Sequence, residues 1–175
     1  MDIEKLANVK LADAQGAQHR LGDYWQDQPT VLVFLRHFGC LHCREHAALL
    51  GERYDEFTKA GAQVVAIGTG DERYAAAFVR DEHIPYTVLV DDHADAAHAA
   101  SVETVSWGKL LAPSTWKATV ATWKNGHKVH KAGKRVKQLG ATFVIAPGDK
   151  VLYTHLDSDS TDHALADEVL AALPA

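Results

Sequence analysis

Only two cysteines, Cys40 and Cys43, occur in this chain of 175 residues. That is too few for the disulfide framework on which small secreted domains rely. No apolar stretch has the length a membrane-spanning helix needs, and Met1-Asp2-Ile3-Glu4-Lys5 lacks the basic and apolar regions of a signal peptide. Positive charge is not in excess either. The 18 Lys and Arg against 23 Asp and Glu leave a formal net charge of −5 with mixed signs, which argues against nucleic acid or an anionic membrane as a partner. The chain shows no internal repeat and no low-complexity tract. With 47% hydrophobic residues it is long enough for one well-packed core and too short for two. The expectation is a single cytoplasmic domain over residues 1–175.

What the sequence does have is the run Val31-Leu32-Val33-Phe34-Leu35-Arg36-His37-Phe38-Gly39-Cys40-Leu41-His42-Cys43-Arg44-Glu45. A buried-type strand empties directly into Cys-x-x-Cys. A thiol at a helix start meets unpaired backbone N–H groups and the positive end of the helix dipole, which lowers its pKa. Arg36, His37 and Arg44 add cationic or protonatable groups nearby. From Cys43 onward, Ala47, Leu50, Tyr54 and Phe57 recur at spacings of four and three, the pattern of one amphipathic helix ending near Gly61. This reading sets Cys40 at the exposed first turn as the attacking group and Cys43 one turn deeper as the resolving group. In a cytoplasmic protein such a pair is reduced between reactions and catalytic rather than a structural staple.

Other chemistry fits these residues less well. Zinc would need a second half-site beside Cys40, His42, Cys43 and His46, and only His127-x-x-His130 offers one. Covalent haem attachment would need His after the second cysteine, where Arg44 stands.

The rest of the chain alternates strands with helices. Residues 7–25 carry a weak strand, a turn at Gln15-Gly16 and a turn-like segment from Gly22 to Trp25. Strands are expected at Val31–Leu35, Gln63–Ile67 and Tyr86–Val90. Helices are expected over Asp71–Glu82, with Tyr74, Ala77, Phe78 and Val79 facing in, and over Asp95–Ala100. Strands joined by helices of this length imply βαβ crossovers. Residues 101–138 form an insert, after which Ala141–Ile145 and Val151–His155 make a hairpin. A final helix over Asp162–Leu173 has Thr161 or Asp162 as its N-cap. The fold class is α/β, thioredoxin-like, with a central mixed sheet flanked by helices and a helical insert before the C-terminal hairpin.

Phe34 to Glu45, together with Gln138-Leu139-Gly140-Ala141-Thr142-Phe143-Val144-Ile145-Ala146-Pro147-Gly148-Asp149-Lys150-Val151-Leu152-Tyr153-Thr154-His155, resembles the AhpC/TSA-type, peroxiredoxin-like family, including the peroxiredoxin-like 2 or antioxidant-enzyme-domain proteins. The resemblance implies a thioredoxin fold and thiol-dependent reduction of a peroxide or other small oxidant. Cys40 stands where the family's attacking cysteine stands and Cys43 where its partner stands; Arg36 and His37, close to the sulfurs along the chain, are the further catalytic candidates. The implied partner is an external dithiol reductant such as thioredoxin, glutaredoxin or a low-molecular-weight thiol, and no cofactor or metal is implied. Two departures stand out. Typical peroxiredoxins carry Pro-x-x-x-Thr/Ser-x-x-Cys, and Val33 and His37 occupy those positions here. The arginine usual ahead of the hairpin strand is missing around Leu139-Gly140-Ala141, leaving Arg36, His37 or Arg135 to substitute. Two other functions compete: a thioredoxin-type disulfide reductase, which would carry a proline where Leu139 to Thr142 has none, and a redox-sensing or partner-binding protein without turnover.

Trp107, Trp116 and Trp123 give the insert an apolar pattern, read as core packing or a homodimer interface, or as a wall beside Cys40 for hydrophobic substrates. The basic cluster from Lys124 to Lys137 reads as a solvated loop. Of the eleven histidines, most are expected at the surface or at helix ends, His37 being the exception. His155 and Asp162 are expected to hydrogen-bond or cap.

Overall fold

The computed structural model describes residues 1–102 and 138–174. The insert expected at 101–138 therefore falls almost wholly outside the described residues, with its tryptophans, its basic cluster, His127, His130 and Arg135. The described elements run α1 (Ile3–Asn8), β1 (Lys10–Asp13), β2 (Gln18–Arg20), a 3-10 turn (Leu21–Trp25), β3 (Thr30–Phe34), α2 (Leu41–Glu52), α3 (Tyr54–Lys59), β4 (Gln63–Gly68), α4 (Glu72–Asp81), β5 (Thr87–Val90), α5 (Asp95–Ala99), β6 (Ala141–Ala146), β7 (Lys150–Leu156) and α6 (Ala166–Ala171). No described helix is long and apolar enough to cross a membrane.

β3 is the organising strand. All of its residues are buried, because both faces of the sheet are covered there. Val31, Val33 and Leu35 point into one apolar cluster with α2, α4 and α6, while Leu32 and Phe34 point into a second with α1, the 3-10 turn and α5. This two-residue alternation, buried on both sides, explains why the sequence reads as a continuous apolar run rather than an alternating one. β3 pairs in parallel with β4 and antiparallel with β6. The described strands form one seven-stranded mixed sheet in the order β2-β1-β5-β4-β3-β6-β7. Sheet and flanking helices make the thioredoxin-like architecture expected above.

Four local expectations need correction. The long helix after the cysteines is two helices, because Arg53 leaves helical geometry (φ −102°, ψ 10°) and turns its guanidinium to Glu56 and Asp167. In α4, Tyr74 is exposed and Ala75 takes the inward place with Phe78, while Ala77 and Val79 are half-buried. The last helix starts at Ala166 rather than Asp162, whose carboxylate instead accepts from the Ser158 N–H at 2.8 Å. Neither Thr161 nor Asp162 is its cap; Leu165 occupies that position without a side-chain bond. At the other end, α1 was not anticipated, although Asp2 caps it by accepting from the Lys5 N–H at 3.0 Å.

The ends of β3, β6 and β7 converge just before the cysteine loop. Gly140 sits at the convergence, and its carbonyl accepts from the Asp157 N–H at 3.1 Å. A Cβ on Gly140 would collide with the Asp157 carboxylate and meet the Phe34 carbonyl oxygen at 2.9 Å. Gly140→Ala is expected to lower stability by about 2 kcal/mol, as overpacking of a rigid backbone site does, read as a lowered midpoint in urea denaturation.

Candidate active site around Cys40 and Cys43

Cys40 is the N-cap residue of α2, with φ −73°, ψ 118° and no side-chain cap bond. Its N–H donates to the His37 carbonyl at 3.0 Å and its carbonyl accepts from the Arg44 N–H at 3.0 Å, so sulfur stands where a hydroxyl or carboxylate usually caps. The expected exposure is not found. Cys40 is only 6% exposed and Cys43 1%. The cause is the loop from Leu35 to Gly39, which folds inward and is buried throughout. Phe38 drives it: its ring packs tilted against Phe78 at a centroid distance of 5.5 Å and lies so close to Gly68 that a Cβ there would meet it at 2.5 Å. Leu35 N–H donates to the Ile67 carbonyl at 2.7 Å, and the Thr69 hydroxyl donates to the Arg36 carbonyl at 2.8 Å, fixing the loop to the end of β4.

The four residues named from sequence gather at this loop. Arg36 brings Nη1 to 3.7 Å from the Cys40 sulfur while its Nε donates to the Gln138 carbonyl at 3.2 Å. The Cys43 thiol donates a hydrogen bond to Cys40. That bond, together with the Arg36 charge, holds the Cys40 thiol well below the usual range although burial opposes ionisation. The same bond and burial push Cys43 well above its ordinary value. The two thiols are thus shifted in opposite directions, Cys40 toward the thiolate and Cys43 toward the protonated thiol. Burial lowers the pKa of His37 and so favours its neutral form; its Nδ1 has no hydrogen-bond partner.

Arg44 does not act on the sulfurs. It is buried and donates to Glu82 at 2.6 Å and to the Phe38 carbonyl at 3.2 Å, with Asp81 at 3.7 Å and its guanidinium over the Phe78 ring. It clamps the loop to the end of α4 instead.

Two histidines depart from the expected surface placement, since His42 and His46 are buried as His37 is. His46 stacks on His163 with ring centroids 4.7 Å apart. His163 Nδ1 donates to Asp157 at 2.9 Å, and His155 lies 3.2 Å from Asp162 and 3.6 Å from Asp157. Burial pushes the Asp157 carboxyl up, its bond to His163 acting the other way. The sequence points to His155 and Asp162 as hydrogen-bonding or capping residues but gives no sign of His46, which α2 brings to them from far away along the chain. Among the described residues, no group of three or more His, Cys, Asp or Glu side chains is arranged to hold a metal ion.

Comparison with known proteins bears on the family and the fold. The model of the AhpC/TSA family matches residues 3–154. The chain is 29% identical over 177 residues to the thioredoxin-like protein AAED1, chloroplastic, of Arabidopsis thaliana, covering 97% of this chain and 71% of that protein. Among solved structures it is similar to peroxidoxin BcpB of Mycobacterium tuberculosis, at 25% identity and a TM-score of 0.67, covering 94% of this chain and 90% of that one. It shares the fold of Xanthomonas campestris peroxiredoxin Q, with a TM-score of 0.72 at 18% identity over 97% of this chain and 92% of that one.

Two outcomes follow from the electrostatics. Thiolate absorbance of the reduced protein should titrate well below the ordinary thiol range, and Arg36→Met should move the curve toward higher pH; an unmoved curve would remove Arg36 from the site. His46 has its pKa lowered to about 3, chiefly by burial. The folded state therefore refuses a proton that the unfolded chain takes up below about pH 6.5. The stability gained from keeping His46 neutral is complete above that pH and is lost on acidification toward 3. Between pH 7.5 and 5 this amounts to about 2 kcal/mol. Urea denaturation at the two pH values measures it, and His46→Leu should flatten the dependence by that amount.

Proposed function

The chain belongs to the AhpC/TSA family, and on that premise we propose that it is a thiol-dependent oxidoreductase that reduces peroxides with Cys40 as attacking sulfur and Cys43 as resolving thiol. The observation that carries the reading is the buried pair itself: a sulfur at a helix start, receiving the Cys43 proton in a hydrogen bond and facing Arg36 at 3.7 Å. Such a sulfur is ionised without a separate base, and its resolving partner is already in contact.

The cycle balances within the chain plus one reductant. The Cys40 thiolate attacks a peroxidic oxygen, the O–O bond breaks, and the leaving alkoxide or hydroxide takes a proton to become alcohol or water. Cys40 is then a sulfenic acid, oxidised by two electrons. The Cys43 sulfur displaces hydroxide from it, the thiol proton leaves in the water formed, and a disulfide closes. An external dithiol returns two electrons and two protons. Arg36 stabilises the thiolate as a fixed cation. His37, kept neutral by burial, serves as a hydrogen-bonding group facing the reacting oxygens, and takes the place of the family's hydroxyl residue. Both sulfurs lie on one chain, so the cycle needs no second subunit. A cytoplasmic setting, which restores free thiols after each turnover, belongs to the same proposal.

Intact-mass measurement of the reduced protein after stoichiometric hydrogen peroxide or cumene hydroperoxide tests it. The parent should lose two hydrogens, Cys40→Ser and Cys43→Ser should not, and a sulfenic acid should be trapped only where Cys40 remains. Rapid oxidation by a protein disulfide without any response to either peroxide would replace this reading with disulfide reduction.

A further inference from the structure

Leu49 and Leu165 are the most exposed large apolar side chains among the described residues, at 52% and 64%, and both line one groove. The groove, about 450 Å³ in volume, lies between α2 and the start of α6. Leu50, Ala164 and Ala166 complete its apolar wall. Two leucines left in water on opposite sides of a groove mark a surface that meets a partner.

The charge of the rim says what kind of partner. Glu52 and Asp167 line the groove, and Glu56 lies next to it. The Arg53 guanidinium bonds Glu56 at 2.8 and 2.9 Å and Asp167 at 2.5 Å. Two carboxylates bond this one guanidinium, and Glu45 and Glu52 also line the groove, so acidic groups outnumber the arginine there. The lining also extends along α2 from His42, which stands between the two cysteines, to Glu52. Ten residues of helix rise carry this groove about 15 Å, from the thiol end of the helix to its acidic end.

We propose that this groove docks the protein dithiol that reduces the Cys40–Cys43 disulfide, and that the docking surface of that partner presents an apolar side chain flanked by Lys or Arg. The inference rests on the disulfide step of the cycle above and not on which oxidant drives it. In the reaction, one partner thiolate attacks a sulfur of the disulfide to give a mixed disulfide. The second partner thiolate then displaces the bound cysteine, so the partner is oxidised by two electrons and both cysteines are freed. Apolar contact in the groove supplies affinity, and the acidic rim speeds encounter with a basic surface in a salt-dependent way. A small dithiol reaches the sulfurs without using the groove.

The experiment separates these routes. The protein is oxidised with diamide, which bypasses the peroxide step, and re-reduction is followed by thiol counting with thioredoxin, glutaredoxin and dithiothreitol. Leu49→Ser and Leu165→Ser should each slow reduction by the better protein reductant about tenfold, and Glu52→Lys together with raised salt should slow it further. Dithiothreitol should reduce parent and variants at rates within about twofold. Leu165→Ser places a serine at the N-cap of α6, so its fold is supported rather than threatened. Equal rates with the protein reductant in parent and variants would overturn the proposal. So would a matching loss with dithiothreitol, or no reduction by either protein. If diamide fails to close the disulfide, the docking proposal and the resolving step fall together. If it closes and the groove behaves as stated while peroxides leave the protein untouched, only the peroxide reading falls.

Discussion

A negative sulfur inside a protein is stable only where fixed dipoles and cations replace the water it has lost, and the architecture around Cys40 is arranged by that requirement. The α2 N-terminus supplies unpaired N–H groups, the Cys43 thiol supplies a hydrogen bond, and Arg36 supplies charge. None of the three would be in place if the loop from Leu35 to Gly39 were free. The Phe38 ring wedged against Gly68 and Phe78, the Thr69 hydroxyl on the Arg36 carbonyl and the Arg44 clamp on the Phe38 carbonyl hold it. The packing of one phenylalanine is therefore a condition of the thiol's acidity.

The same arrangement separates the roles of the two cysteines. A single hydrogen bond makes one sulfur a better anion and the other a poorer acid, so the order of attack and resolution follows from where the helix begins. Its geometry needs no third group to choose between them.

Legibility from sequence followed the range of the interactions. β3, β4, β5 and β6 were readable because strands buried on both faces leave apolar runs such as Val31 to Leu35 and Val64 to Ile67, and β7, exposed or half-buried along its length, was readable from the Pro147-Gly148-Asp149 turn before it. Cys40 and Cys43 were readable because their spacing and the strand before them are local. The depth of Cys40 was not, because it depends on Phe38 meeting Phe78 and on Arg36 reaching a carbonyl 102 residues away. Arg44 looked like a neighbour of the sulfurs along the chain and is turned away by Glu82. The stack of His46 on His163 had no signal at all, since neither residue is near the other in sequence. The start of α6 was misplaced because Asp162 looked like a helix cap and is engaged instead by Ser158.

Arg36 serves two masters, a sulfur on one side and the Gln138 carbonyl on the other. Gln138 stands just ahead of β6. The guanidinium, carried on the loop just after β3, thus ties the sulfur to the chain ahead of β6, and a displacement of that chain moves the cation relative to the sulfur. Thiol acidity in this molecule is consequently a mechanical property: it reports how tightly the last third of the chain is drawn against the first.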